Sequence, residues 1–133
     1  MSATSWGEST LTELDHVRIT ALARQTSLPS ALRELLDVAD LVPTREVPPD
    51  VVTMYAQLQL ADADGQTRAL VVCYPDDADP DAGLVSVLSP LGTALIGRRV
   101  GNSVRWNTPD GRQHEARIAA LAFQPEASGD FTT

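Results

Sequence analysis

The apolar residues of this chain change their period once, and that change limits the fold more than any other feature. Up to Val42 they recur at spacings of three and four, as Leu11, Leu14, Val17, Ala21 and Leu22, then as Leu32, Leu35, Ala39 and Val42. That is the period of a helix with one apolar face. From Val52 onward they alternate with polar residues, which is the period of a half-buried strand. A chain patterned in this way segregates its helices from its strands, so the expected fold class is α+β.

The helical half predicts two arms. Helix one spans residue 10 to about residue 25; Ser27, Pro29 and Ser30 then interrupt the pattern, and helix two resumes it and stops before Pro43. Each arm has one stripe to cover and no other nearby surface, so the pair is expected to pack antiparallel as a short hairpin over residues 10–43. At about 1.5 Å per residue each arm reaches only roughly 20 Å. Residues 1–9 are small and polar apart from Trp6 and are expected to be a flexible terminus, while residues 44–50 read as a linker.

The second half reads as strands over residues 52–60 and 66–74, turned by Asp62-Ala63-Asp64-Gly65, in which Gly65 supplies the positive φ. An acidic loop over residues 75–81 follows. Its four aspartates, Asp76, Asp77, Asp79 and Asp81, lack the glycine and glutamate spacing of a calcium loop and read as solvated. Residues 84–88 read as a short buried strand. Ser89 as N-cap, Pro90 in the first turn and Gly97 past the end frame one compact helix. Two more strands, residues 103–107 and 112–123, flank the turn Thr108-Pro109-Asp110-Gly111, and residues 124–133 are expected to be irregular.

Composition narrows the chemistry. A length of 133 residues leaves room for one compact domain with a small appended element. The ten basic residues are all arginines, which excludes a Schiff-base lysine and a P-loop lysine. Against them stand eighteen acids, and a net charge of -8 opposes direct binding along a nucleic-acid backbone, so a protein partner is expected. The single cysteine, Cys73, sits in an apolar run and reads as a buried, inert thiol. No stretch has the roughly 20 apolar residues of a membrane span, and residues 1–10 lack the features of a signal peptide, so a cytoplasmic location is expected.

His16 and His114 have no companions at metal-ligand spacing, so both are expected at the surface and neither metal nor cofactor is expected. Ser86 and Ser89 lack a nucleophile elbow, and Gly92, Gly97 and Gly101 lack a phosphate-loop spacing, so no catalytic residue is assigned. One feature of the charge pattern stands out. Arg98, Arg99, Arg105, Arg112 and Arg117 face only Asp110 and Glu115 in the same stretch, a local balance of +3 on an acidic chain. Such a face suits an acidic protein surface.

The run Leu84-Val85-Ser86-Val87-Leu88-Ser89-Pro90-Leu91-Gly92-Thr93-Ala94-Leu95-Ile96-Gly97 resembles the signature of the carboxy-terminal domain of Gre-type transcription elongation factors, and Thr108-Pro109-Asp110-Gly111 matches it too. Residues 45–130 resemble more tightly a short branch of that family, through Pro49-Asp50-Val51-Val52-Thr53-Met54 and Gln124-Pro125-Glu126-Ala127. The resemblance implies an FKBP-like antiparallel sheet domain over residues 51–133, preceded by a coiled-coil hairpin. It also implies docking at the rim of the secondary channel of bacterial RNA polymerase. Ser89, Pro90, Leu91 and Gly92 are the candidate partner-binding residues, with Arg98 and Arg99 of the basic run beside them.

Gre cleavage factors carry a much longer hairpin with acidic residues at its tip, where they help hold the catalytic metal. The tip expected here, residues 25–30, contains no carboxylate. A hard magnesium ion is held through carboxylate and phosphate oxygens, so stimulation of RNA cleavage is not expected and the chain is not read as an enzyme. Two alternatives belong to other classes. A transcript-cleavage elongation factor would need acids at the tip, and an FKBP-like isomerase or chaperone would need a pocket lined by Tyr55, Tyr74, Trp106 and Phe123. Oligomeric state is left open by the sequence.

Overall fold

The structure is a computed structural model that describes residues 9–131. Of the terminus expected to be flexible, residues 1–8 lie outside the described residues. Ser9 departs from that expectation: it is buried, and its carbonyl accepts the Asp40 N–H at 2.9 Å.

The N-terminal part opens with a strand where helix was expected. β1 is Thr10–Thr12, α1 is Glu13–Ala21 with a 3₁₀ turn at Leu22–Arg24, α2 is Ser30–Val38, and β2 is Asp40–Val42. β1 and β2 pair in parallel, with Leu11 opposite Leu41. Both departures have local causes. The Thr12 hydroxyl accepts the Asp15 N–H at 3.0 Å, so Thr12 is the extended N-cap and α1 starts after it. Val42 precedes Pro43, which disfavours helical backbone, and the chain is already extended at Ala39. Each helix therefore has nine residues and reaches about 14 Å.

The second part is a curled five-stranded sheet. β3 is Gln57–Asp62, β4 Thr67–Cys73, β5 Leu84–Ser86, β6 Ser103–Asn107 and β7 Gln113–Phe123, in the order β5-β4-β3-β7-β6. All neighbours are antiparallel except β4 and β5. α3, Pro90–Leu95, connects β5 to β6. β5 is an edge strand and half-buried, shorter and less covered than the sequence suggested.

Two stretches differ from expectation in ways that shape the molecule. Residues 52–56 are expected from sequence to be the first part of an alternating strand, but β3 begins only at Gln57. Tyr55 takes a φ of +66°, which breaks the strand, and Val51, Val52, Thr53 and Met54 are all buried instead of alternating. Their backbone finds partners across the fold: Val52 N–H donates to the Arg98 carbonyl at 2.8 Å and Tyr55 N–H to the Val72 carbonyl at 2.8 Å. The C-terminal stretch, read as irregular, forms a 3₁₀ turn at Glu126–Ser128 and buries Gln124 and Glu126. One core holds the whole: Ile19 and Leu32 of the helices are buried in the same cluster as Leu58, Val72, Leu95 and Ile118.

A candidate docking face around α3

The N-terminus of α3 is held by a dense set of short bonds. The Ser89 hydroxyl accepts the Gly92 N–H at 3.1 Å and donates to the Ser86 carbonyl at 2.7 Å. Thr93 donates its hydroxyl to the Val87 carbonyl at 2.8 Å. Gly92 lies so close to the preceding strand that a Cβ there would sit 2.0 Å from the Ser86 oxygen. Ser89 and Gly92 are thus occupied in folding, and half-buried Leu91 packs against the core. Pro90 is exposed. Of the four candidates on this turn, it is the one that offers free surface.

Pro90 opens onto a groove of about 1220 Å³ between α2, α3 and β6. Arg98 reaches the same groove. Its Nε donates to Asn102 Oδ1 at 3.4 Å, while its Nη2 is buried without a hydrogen-bond partner, and burial lowers its pKa from the ordinary guanidinium value. Arg99 does not line the groove. It is exposed and paired with Asp50 at 3.2 Å. The basic run is therefore less free than its count suggests, because Arg105 lies 3.6 Å from Glu115 and Arg112 lies 3.6 Å from Asp110.

Sequence reasoning missed a buried polar seam elsewhere in the fold. Asp15 of α1 is almost wholly buried, and its Oδ2 accepts the Met54 N–H at 3.1 Å while Oδ1 has no partner. Desolvation raises its pKa to about 6; Glu126 adds to the rise, and the bonds from Met54 and Thr12 and the charge of Arg18 oppose it. Glu126 Oε1 accepts the Thr53 hydroxyl at 2.7 Å. Gln124 donates through Nε2 to the carbonyls of Pro48 and Val51, at 2.9 and 2.8 Å. The two motifs beginning at Pro49 and Gln124 are thus one structural unit, joined across more than seventy residues of sequence. Their shared signal was visible as motif, but no spacing rule connects them.

The remaining candidates fall apart in space. Tyr55 packs against Tyr74 with ring centroids 5.8 Å apart and donates its hydroxyl to Asp77, and burial is the largest cause pushing its pKa up to about 12. The Tyr74 hydroxyl is buried without a partner; burial is the main cause raising its pKa, and Arg18 opposes the rise without reaching hydrogen-bond geometry. Trp106 stacks instead on His114 at 5.3 Å, and Phe123 is exposed, so the four aromatics do not form one pocket. His16 is not a plain surface residue, since its Nε2 lies 3.0 Å from the Leu36 carbonyl. Cys73 is buried, and desolvation raises its pKa. Between α1 and α2 the turn over residues 25–29 exposes Gln25, Thr26 and Ser27 and buries Leu28. No helix among the described residues is long and apolar enough to cross a membrane.

This arrangement of sheet, capped short helix and buried C-terminal motif has relatives. The family described as "Transcription elongation factor, GreA/GreB, C-term" matches residues 47–122, more than half of the chain, which belongs to that Gre-type family. Over nearly its whole length the chain is also similar to the regulator of nucleoside diphosphate kinase from Escherichia coli, 35% identical over 127 residues that cover 91% of this chain and 93% of the relative. The transcription elongation factor GreA of Rhodospirillum rubrum is 33% identical over 95 residues, covering 68% of this chain and 60% of the relative. Among solved structures, a prokaryotic GreA/GreB elongation factor from Nitrosomonas europaea superposes with a TM-score of 0.73 at 29% identity, over 87% of this chain and 98% of that one.

Proposed function

We propose that this protein is a transcription regulator that binds bacterial RNA polymerase near the rim of the secondary channel and does not stimulate RNA cleavage. The observation that carries the reading is the turn over residues 25–29: it offers no carboxylate and sits at the end of helices only nine residues long. Such an apex has neither the reach nor the oxygen anions to share a magnesium ion with a polymerase active centre.

In this reading the sheet, which the family resemblance implies is FKBP-like, anchors the protein through Pro90, Arg98 and the groove beside them, and the short helical hairpin partly occupies the channel entrance. Occupancy alone would then limit access by longer factors. Similarity to a regulator of nucleoside diphosphate kinase extends the proposal to an effect on the level of that kinase, exerted through transcription. The test mixes the protein with purified bacterial core polymerase and with stalled, backtracked elongation complexes. Binding without added cleavage supports the proposal. Absence of binding, or cleavage above the polymerase's own rate, overturns it.

A further inference from the structure

Residues 1–8 lie outside the described residues, but the point at which they join the fold is fixed. The Ser9 carbonyl accepts the Asp40 N–H at 2.9 Å, just past α2, and the Thr10 N–H donates to the Gly97 carbonyl at 2.9 Å, just past α3. Position 9 is therefore clamped between the ends of the two helices that wall the groove, and Ser9 itself lines that groove. Whatever precedes Ser9 starts from the groove wall. Trp6 stands three residues before Ser9, and an extended chain spans about 3.4 Å per residue, so its backbone stays within about 10 Å of Ser9. Val38 stands two residues before Asp40 and Ala94 three before Gly97, so both anchor points hold groove residues close to that origin.

The groove has a definite chemistry. Its apolar lining comprises Pro29, Leu35 and Val38 on one side, Leu88 and Ala94 on another and Trp106 on β6, and Val38 is 71% exposed. Its charges cancel, with Glu34 and Glu115 set against Arg98 and Arg105. Such a lining favours neither an acidic nor a basic segment and suits an uncharged one with an apolar anchor. Residues 2–7, Ser-Ala-Thr-Ser-Trp-Gly, carry no charged side chain and hold one aromatic.

We propose that residues 1–8 of this chain occupy the groove, with the Trp6 indole seated against Leu35, Val38 and Ala94. A tryptophan side chain buries about 150–250 Å², which is enough to cover Val38 and its neighbours. The tether selects this occupant over a detached one. Because the segment begins at the groove wall, its effective concentration there is of roughly millimolar order, and a separate partner must exceed that to displace it. The same residues of a second copy would make the same contacts without this advantage. The segment lies beside Pro90, and so competes from within the chain with anything that docks at that turn. The inference itself does not rest on the polymerase reading.

The test uses the full chain and NMR. Nuclear Overhauser contacts are expected from the Trp6 indole protons to the methyl groups of Leu35, Val38 and Ala94. Their relative intensity is expected to be the same at about 50 μM and about 1 mM protein, because a contact within one chain does not follow mass action. Trp6→Ser removes the anchor without touching a core residue, so the thermal midpoint is expected to stay within about 3 °C of the parent. The same substitution is expected to shift the methyl signals of Leu35, Val38 and Ala94 and to leave those of the Asp64–Gly65 turn in place. A free peptide of residues 1–8 is expected to bind the Trp6→Ser chain with half-saturation at or below about 1 mM, and the unaltered chain at least about fivefold more weakly, since its own segment holds the site. Absent indole contacts, contacts that fade on dilution as those of a second copy would, or equal binding of the peptide to both chains each overturn the proposal. Should Trp6→Ser fail to fold, the contacts and their dilution series on the unaltered chain still decide.

Discussion

The carboxylate of Asp15 accepts the backbone N–H of Met54 at 3.1 Å, and so ties the first helix to the buried segment that leads into the sheet. The contact is made at a cost, because the same carboxylate is desolvated, has an oxygen without a partner, and feels Glu126 nearby. Its folded-state pKa, about 6, lies above the ordinary value of 3.8, so between those pH values the folded protein binds more protons than the unfolded one. Stability contributed by this group is therefore present at low pH and is lost as pH rises through about 4 to 6.

Asp15→Asn tests this directly. The amide keeps an acceptor for Met54 and loses the buried charge. Urea unfolding at about pH 7 is expected to show a gain of about 2 kcal/mol over the parent, shrinking toward zero near pH 4. A gain that is the same at both pH values, or a loss at pH 7, would show that the charge is not what burial penalises. Asp15→Leu provides the contrast: it strands the Met54 N–H and is expected to be less stable than Asp15→Asn by about 1–3 kcal/mol.

Gly92→Ala is expected to reverse a general rule. In an ordinary helix interior this change stabilises by about 1 kcal/mol. Here the added methyl would lie 2.0 Å from the Ser86 carbonyl oxygen, a backbone atom that cannot swing aside. The helix must move off β5, and a loss of about 2–4 kcal/mol is expected in denaturant unfolding, against no loss for Gly65→Ala beyond the strain of its positive φ. Equal effects at the two positions would refute the close approach.

The parts of this fold that sequence made legible are those set by local rules. Ser89, Pro90 and Gly97 frame α3 because capping, a fixed φ and a left-handed exit act within one turn. Gly65 and Gly111 close their hairpins for the same reason. What stayed hidden depends on contacts between distant segments. Residues 10–12 and 40–42 are strands only because they pair with each other, and neither has the length or alternation to announce it. Residues 52–56 alternate on paper, yet Tyr55 turns out of the strand to meet Tyr74 and Asp77, residues that no period could place beside it. In the same way, Arg98 and Arg99 look equivalent in sequence, and only the fold sends one into the groove and the other to Asp50.

Gln124 supplies a test of whether the C-terminal stretch is part of the fold. Its side-chain amide serves two backbone carbonyls, of Pro48 and Val51, that have little access to water. Gln124→Ala leaves the Val51 carbonyl unserved and the Pro48 carbonyl with only the Val51 N–H at 3.2 Å, and is expected to cost about 1–3 kcal/mol. Because the bonds hold the segment before β3, amide exchange at Val52 and Met54 is expected to accelerate more than exchange at Leu58 or Ile118. A uniform change across the sheet, or none, would separate the C-terminal turn from the stability of that segment.

The docking proposal is best tested at Pro90, since Ser89, Leu91 and Gly92 are committed to folding and their replacement would confuse binding with stability. Pro90 is exposed at the first position of α3, where an acidic residue is compatible with the unpaired N–H groups of the helix start. Pro90→Asp is therefore expected to leave the thermal midpoint within about 3 °C of the parent. If this turn meets the polymerase, the added charge and lost ring weaken association by about tenfold or more, measured by titration of labelled protein against core enzyme. Arg98→Gln, which lines the groove, is expected to weaken it as well, whereas Arg99→Gln, paired with Asp50 outside the groove, is expected to change it by less than about twofold. Undiminished binding by Pro90→Asp and Arg98→Gln together would place the contact elsewhere on the molecule.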